Sequence, residues 1–276
     1  MDRARLAQLG FQLGARAPGG RSQGAWFATA ADGAPVVLKW SPDGTMTERY
    51  AALLPGLDEL RARGVPVPEY LHVSAFDGGT LSAQRRLPGR SHDTWPQAVV
   101  ERMIECAAAK AGVGGPHPSP DQATWGAYVV DALSGRGAAH DALRGAGPRS
   151  AAVLDRVEAG GAGADPSWFS SDGLVHGDLH TDNVLIDDGA LCGIIDWEGA
   201  CAGDHRFDLV AFAFDLDGHG QPIWDLVDAA GFAPRVLRAY VALLTLKCTA
   251  SAIRHRPEDL GRQLDRAERV FDRYEV

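Results

Sequence analysis

Apolar residues in the first 85 positions mostly follow the alternating pattern of half-buried strands, interrupted by polar turns. The strand-like runs cover residues 11–17, 24–31, 34–40, 67–76 and 80–87. Asp32-Gly33 and Asp77-Gly78-Gly79 separate neighbouring runs, as in β-hairpins. Residues 47–63 instead repeat apolar positions at helical spacing, and Pro55-Gly56 is predicted to interrupt that helix. The pattern therefore predicts a small β-rich unit with one helix.

Helical spacing dominates after residue 87. The predicted helices cover residues 96–113, 121–135, 149–159, 205–217, 221–230, 234–254 and 257–274. Three β-rich runs, at 174–180, 183–187 and 190–197, lie in the middle of this part, and an Asp-Asp-Gly turn at 187–189 predicts a hairpin. We therefore expect an α+β chain with two lobes, covering residues 1–86 and 87–276.

Composition narrows the partners of the chain. Its 276 residues are 45% hydrophobic and 23% charged, with a net charge of −9. A nucleic-acid-binding protein is expected to be basic, so the charge argues against that class and suits a cationic small molecule. No run approaches the roughly 20 apolar residues of a membrane helix, and the N-terminus lacks a signal-peptide core, so we expect no membrane partner and a cytoplasmic location. The four scattered cysteines predict no metal site or disulfide.

The stretch "LVHGDLHTDNVLID" at 174–187 concentrates polar groups between apolar runs. Asp178 and Asn183 are five residues apart, and Asp196 ends the next apolar run. Such a set can surround one phosphate, with Asp178 accepting a proton from a hydroxyl and Asn183 and Asp196 holding Mg²⁺. Two alternatives stay open at this point: a polar loop without chemistry, and a zinc-dependent hydrolase that uses His176, Asp178 and His180.

Three segments of the chain resemble the aminoglycoside phosphotransferase family, a branch of the protein-kinase-like fold. They are "HGDLHTDN" (176–183), "IIDWEGA" (194–200) and "GDHRFDLV" (203–210), and the first matches the family's H-G-D-L-H-x-x-N at every fixed position. The resemblance implies a bilobal fold and transfer of phosphate from ATP, or alternatively GTP, with Mg²⁺. It implies that Asp178 is catalytic, that Asn183 and Asp196 bind metal, and that His176 and Asp208 support the loop.

The resemblance extends to the N-terminal lobe, where it implies a nucleotide site. Lys39 ends the strand "VVLKW" and would bind the phosphates, with Glu48 as its first candidate partner on the following helix. The loop at 18–27, which includes Ser22, would lie over the phosphates although it lacks G-x-G-x-x-G. The segment "AQRRLPGR" (83–90) resembles the hinge between the lobes, and the backbone from Gln84 to Arg86 would pair with the adenine.

The acceptor side is predicted from acids in the C-terminal lobe. The candidates are Glu198, Asp204, Asp215 and Asp217, which would attract ammonium groups. An aminoglycoside or a basic cyclic peptide antibiotic is the first candidate acceptor, and a metabolic substrate such as choline, homoserine or a sugar is the alternative. The chain departs from the family at 105–115, since many relatives carry a Leu-His pair near the end of that helix and this chain does not.

Overall fold

The computed structural model describes residues 2–17, 24–92, 94–119 and 121–276. Its N-terminal part is built on five strands: β1 (Phe11–Arg16), β2 (Ala25–Ala30), β3 (Pro35–Ser41), β4 (Tyr70–Phe76) and β5 (Gly79–Arg85). They form one antiparallel sheet in the order β1-β2-β3-β5-β4. Two helices accompany the sheet: α1 (Arg3–Gln8), which the pattern did not predict, and α2 (Met46–Ala62).

Helix α2 runs through Pro55 without a break, so the predicted interruption is wrong. Pro55 and Ala51 are both exposed, so water can satisfy the carbonyl that loses its partner to proline. Gly56 is buried where the helix meets a loop, and a Cβ there would lie 2.4 Å from the carbonyl oxygen of Gly114. The apolar face holds the helix together through the buried side chains of Tyr50, Leu53, Leu57 and Leu60.

The C-terminal part is mainly helical. Its helices are α3 (Gln97–Ala108), α4 (Trp125–Ala132), α5 (Ala138–Gly145), α6 (Pro148–Gly161), α7 (Phe207–Gly218), α8 (Trp224–Ala229), α9 (Pro234–His255) and α10 (Leu260–Tyr274). Four short strands are inserted between them: β6 (Gly173–Val175), β7 (Val184–Asp187), β8 (Ala190–Ile194) and β9 (Cys201–Gly203). β7 pairs with β8 as the predicted hairpin, and β6 pairs with β9, which was not predicted. A small antiparallel sheet followed by a helical part confirms the α+β prediction.

Helix α9 is the centre of the C-terminal core. It packs against α5, α6, α7 and α10, and its buried residues include Tyr240, Leu243 and Leu246. Within the described part of the chain, α9 is the one helix long and apolar enough to cross a membrane by length and composition. However, 72% of its apolar window is buried inside the protein, which is the pattern of a core helix.

A second core joins the two parts of the chain. In it, the apolar face of α2 packs with Trp95, with Val99 and Met103 of α3, and with Ile194 at the end of β8. The N-terminal sheet has a separate small core around Leu38. Helix α2 is thus packed with the C-terminal part as well as with the sheet. Because α2 directly follows β3, this packing places the end of β3 near the β7–β8 hairpin.

Candidate active site

The loop at 176–183 connects β6 to β7 and is folded on itself by hydrogen bonds. The backbone N–H of Asp178 donates to Nδ1 of His176 at 3.3 Å, and the Asn183 amide donates to the carbonyl oxygen of Asp178 at 2.9 Å. Gly177 has φ +81°, and a Cβ there would lie 3.0 Å from the carbonyl oxygen of Gly199, so only glycine fits. The "HGD" sequence therefore forms a tight turn that presents Asp178.

His176 and Asp208 hold this loop from beneath. His176 is fully buried, and its Nε2 donates to the carbonyl oxygen of Ile195 at 2.9 Å. Burial lowers the pKa of His176, which favours the neutral ring. Asp208, also fully buried, accepts from the backbone N–H of His176 at 2.7 Å and of Gly177 at 3.2 Å. The side chains of both residues therefore hydrogen-bond to backbone groups and are buried away from solvent.

These contacts contradict the zinc alternative. Both ring nitrogens of His176 are engaged, one as donor and one as acceptor, so the ring has no free lone pair for a metal. Among the residues that the structure describes, the only group of three His, Cys, Asp or Glu side chains close enough to share an ion is Asp172, Asp204 and His205. Asp204 in that group is already paired with a guanidinium.

The carboxylate of Asp178 is open to solvent. Its side chain is 65% exposed, and Oδ2 lies 3.7 Å from Nε2 of His180. Burial of the group alone would raise the pKa of Asp178, but the hydrogen bond and charge of His180 outweigh it and lower the pKa. Burial would likewise lower the pKa of His180, but Asp178 outweighs it and raises that pKa. Asp178 is therefore ionised at neutral pH and can accept a proton.

Lys39 of β3 forms ion pairs with two carboxylates that follow β8 in the chain. Its Nζ lies 2.9 Å from Oδ1 of Asp196 and 2.8 Å from Oε1 of Glu198. Burial would lower the pKa of Lys39, but Glu198 and Asp196 outweigh it and raise the pKa. Asp196 has a left-handed backbone with φ +69°, a strained conformation for a residue other than glycine that is concentrated at functional sites. Strand β3 and the end of β8 thus meet through an ionic cluster.

The oxygen atoms around Asp196 fit a magnesium ion. Oε2 of Glu198 is buried and has no hydrogen-bond partner among the described residues, while the Asp196 side chain is 43% exposed. The backbone N–H of Ile195 donates to the carbonyl oxygen of Asn183 at 2.9 Å, which brings Asn183 next to this pair. Burial and the adjacent Asp196 raise the pKa of Glu198. Carboxylate and amide oxygens are the protein ligands that Mg²⁺ prefers.

The predicted pairing of Lys39 with Glu48 is wrong. Glu48 is exposed and forms no ion pair with any residue of the described ranges. The reason is its place on α2: Glu48 lies about 200° around the helix from the buried Tyr50, so it faces solvent. The next residue, Arg49, instead contacts the segment that follows Asp196. Arg49 donates to the carbonyl oxygens of Glu198 at 3.1 Å and of Ala200 at 2.7 Å.

Asp204 is not a substrate ligand. It is fully buried, it is ion-paired with Arg206 at 2.9 Å, and it accepts from the hydroxyl of Tyr240 at 3.0 Å. This carboxylate is saturated by internal donors, so the prediction that it faces the acceptor is wrong. Glu198, another of the four predicted acids, instead lies in the ionic cluster with Lys39.

Asp215 and Asp217 are also engaged within the protein. Asp215 accepts from the backbone N–H of Thr181 at 2.8 Å and lies 3.6 Å from the Arg266 guanidinium. Asp217 accepts from the Trp224 indole at 3.0 Å and pairs with Arg269 at 2.8 Å. The arginines come from α10, about 50 residues later in the chain, and they neutralise the acids predicted to attract a cation.

The residues predicted to pair with the adenine lie within the sheet. Gln84 is buried in β5 between β3 and β4, so its backbone is used by the sheet. The backbone N–H of Arg86 donates to the carbonyl oxygen of Pro35 at 3.0 Å, and its guanidinium stacks on Phe27. Neither residue therefore offers a free N–H to a nucleotide, and the chain leaves the sheet only after Arg86. Ser22 lies outside the described residues.

Two lysines near the loop carried no functional prediction. Nζ of Lys247, an exposed residue of α9, donates to the carbonyl oxygen of Gly177 at 3.2 Å. Lys110, just beyond α3, is buried and forms an ion pair with Asp208. The only sequence signal for Lys110 is a single charge in an otherwise apolar helix end.

Comparison with known proteins identifies the family of this chain. The profile of the phosphotransferase enzyme family, APH, matches residues 14–243. Two curated relatives are homoserine kinases: that of Methylobacterium radiotolerans is 39% identical over 88 residues (30% of this chain, 27% of the relative), and that of Gluconacetobacter diazotrophicus is 33% identical over 148 residues (48% and 42%). The chain thus spans less than half the length of these relatives.

A crystal structure of similar fold is a thermostable mutant of aminoglycoside phosphotransferase APH(4)-Ia, in a ternary complex with ADP and hygromycin B. It is 19% identical, with a TM-score of 0.71 over 98% of this chain and 97% of that one. This likeness shows the fold and confirms the resemblance found in the sequence. Because the family profile covers most of its length, the chain belongs to the phosphotransferase enzyme family.

Proposed function

We propose that this chain transfers the γ-phosphate of ATP, with GTP as the alternative donor, to a hydroxyl of a small molecule that carries an ammonium group. The observation that supports the proposal best is the cluster of Lys39, Asp196 and Glu198 beside the loop of Asp178 and Asn183. A cation on the sheet, an ionised carboxylate on the loop and oxygen ligands between them are the parts that phosphoryl transfer requires.

In this mechanism Asp178 accepts the proton of the acceptor hydroxyl as that oxygen attacks phosphorus. Its lowered pKa keeps it ionised at neutral pH, and its exposure gives the hydroxyl access. Lys39 would exchange its two carboxylates for phosphate oxygens. Asn183, Asp196 and Glu198 would hold Mg²⁺, which supplies neutralisation of the phosphate charge when bound. The chain contributes mainly positioning and electrostatic stabilisation.

Two classes of acceptor follow from the relatives. An antibiotic acceptor, an aminoglycoside or a basic cyclic peptide, is supported by the fold of the hygromycin B complex and by the net charge of −9. An amino acid with a hydroxyl group, such as homoserine, is supported by the two homoserine kinases, at 39% and 33% identity. The internal pairing of Asp215 and Asp217 removes part of the negative potential expected for a polycationic antibiotic. This pairing favours the smaller acceptor.

The test is ADP release by the purified chain with Mg²⁺ and ATP across a panel of acceptors. The panel contains aminoglycosides, tuberactinomycin peptides, macrolides, homoserine and choline, and GTP replaces ATP in a parallel series. We expect one class to raise ADP release above the rate without acceptor, and a zinc-selective chelator to leave it unchanged. If no acceptor stimulates the rate and ATP with Mg²⁺ does not raise the melting temperature, the proposal is wrong.

A further inference from the structure

Lys110 is a buried lysine that the proposed mechanism does not use. Its side chain is 4% exposed, and its ammonium forms an ion pair with Asp208, whose side chain is 0% exposed. Lysine is almost never buried to this degree unless its charge is compensated. The two opposite charges compensate each other within the protein, so the pair requires no external ligand.

The carboxylate of Asp208 has a second set of partners. Its Oδ2 accepts from the backbone N–H of His176 at 2.7 Å, and its Oδ1 accepts from the backbone N–H of Gly177 at 3.2 Å. These are the two residues directly before Asp178. Hydrogen bonds to an ionised acceptor are about twice as strong as those between neutral groups. The Asp208 carboxylate, paired with Lys110, therefore holds this turn of the loop by two backbone hydrogen bonds.

The main chain around Lys110 is bonded to the strand that leads into the loop. The carbonyl oxygen of Lys110 accepts from the backbone N–H of Leu174 in β6 at 3.2 Å, and the N–H of Gly112 donates to the carbonyl oxygen of Asp172 at 2.6 Å. Lys110 is thus fixed to the beginning of the loop through its backbone and to Asp208 through its ammonium. Its charge has a defined position relative to Asp178.

We propose that Lys110 is a positioning residue for phosphoryl transfer. By compensating the charge of Asp208, it holds the backbone of His176 and Gly177 and so places Asp178 against the acceptor hydroxyl. The inference rests on the proposed function of Asp178 as the proton acceptor. Lys110 follows the end of α3, so an ammonium group is placed where the chain supports the loop.

The test compares Lys110→Met, the double variant Lys110→Met/Asp208→Asn, and the control Arg102→Met, which removes a half-exposed charge from the preceding helix α3. Lys110→Met should leave Asp208 uncompensated and lower the melting temperature by about 10 °C. It should lower kcat about 100-fold, since a small displacement of a reacting group has that effect. The KM for ATP should stay within about threefold, because the nucleotide contacts are elsewhere.

The double variant separates catalysis from stability. It has no uncompensated buried charge, so its melting temperature should recover in part. Its kcat should stay low, because asparagine has one acceptor oxygen where Asp208 has two, so one of the two backbone N–H groups loses its partner. Hydrogen exchange of the His176 and Gly177 amides should be faster in both variants than in the wild type. Recovery of kcat together with the melting temperature, or unchanged exchange, would show that Lys110 acts on stability alone.

Two further results keep the inference distinct from the proposed function. If the wild type releases no ADP with any acceptor but these amides lose protection in Lys110→Met, the function fails while the role of Lys110 in holding the loop stands. If Lys110→Met does not fold, Lys110→Arg, which keeps the positive charge, is compared with the double variant instead. Lys110→Arg should be more active than the double variant, and equal activity would overturn the role of the charge.

Discussion

Replacing Asp178 with asparagine should separate catalysis from folding. The loop is held by backbone groups, since His176 accepts from the backbone of Asp178 and Asn183 donates to it, and these contacts survive the substitution. The lost ion pair with His180, at 3.7 Å between side chains that are 65% and 35% exposed, costs at most about 1 kcal/mol in water. Loss of a general base instead lowers kcat by about 100- to 10,000-fold, or about 3–5 kcal/mol in the barrier.

The assay for Asp178→Asn is ADP release with Mg²⁺ and the best acceptor, beside a calorimetric titration with ATP. We expect kcat to fall at least about 100-fold, with the Kd for ATP and the melting temperature close to wild type. Asp188→Asn, at an exposed hairpin turn with φ +46°, is the matched control, because asparagine tolerates that conformation. Since the pKa of Asp178 is lowered, the acid limb of wild-type kcat should lie below the usual carboxyl range. Asp178→Asn with more than about a tenth of wild-type kcat would refute its role as a base.

Three other predictions concern binding, stability and pH. Lys39→Met should weaken ATP binding about 10- to 100-fold in a calorimetric titration, because a charged hydrogen-bond donor is lost, and unchanged affinity would exclude it as a phosphate ligand. Tyr240→Phe should lower the free energy of unfolding in urea by about 3 kcal/mol, since the hydroxyl accepts from Trp125 at 3.0 Å and donates to a buried carboxylate, and a loss below about 0.5 kcal/mol would contradict this. The His180–Asp178 pair should stabilise the fold by less than about 1 kcal/mol. This stabilisation is fully present at pH values below the unfolded His pKa of about 6.5, and it is lost as pH rises through the raised pKa of His180 in the folded protein. Urea unfolding of wild type and His180→Gln across this range measures the difference, and a constant difference would contradict the pairing.

The sequence was informative where the signal is local. Strand alternation, hairpin turns and the H-G-D-L-H-x-x-N loop are each contained within a few consecutive residues, and the structure has the corresponding sheet, hairpin and loop. Helix α2 is an instructive exception. Pro55 is a local signal for a break, but packing of Leu53 and Leu57 on one face and exposure of Pro55 on the other allow the helix to continue.

The predictions that failed depend on partners distant in the chain. The sequence shows Asp217 only as an acid that could attract a cationic substrate. The folded chain shows that Arg269 of α10 neutralises it. Glu48 and Arg49 are adjacent, and the rotation of α2 decides which of them faces the cleft. The pairing of Lys110 with Asp208, 98 residues apart, is equally invisible in a single sequence. The sequence shows which acidic and basic side chains the chain contains. Tertiary contacts decide which of them are paired within the protein and which remain free to bind a ligand.

The hydrogen bonds of Arg49 have a mechanical consequence for the whole molecule. Its guanidinium donates to the backbone carbonyls of Glu198, Gly199 and Ala200, which follow Asp196 after Trp197, and α2 shares its core with α3 and β8. Helix α2 and the Asp196 segment should therefore travel as one rigid body. Rotation of the five-stranded sheet relative to this body would bend the chain on both sides of α2 and after Arg86. Such a rotation would break the ion pairs of Lys39, because Lys39 is on β3 of the sheet and its two carboxylates, Asp196 and Glu198, are on the other body.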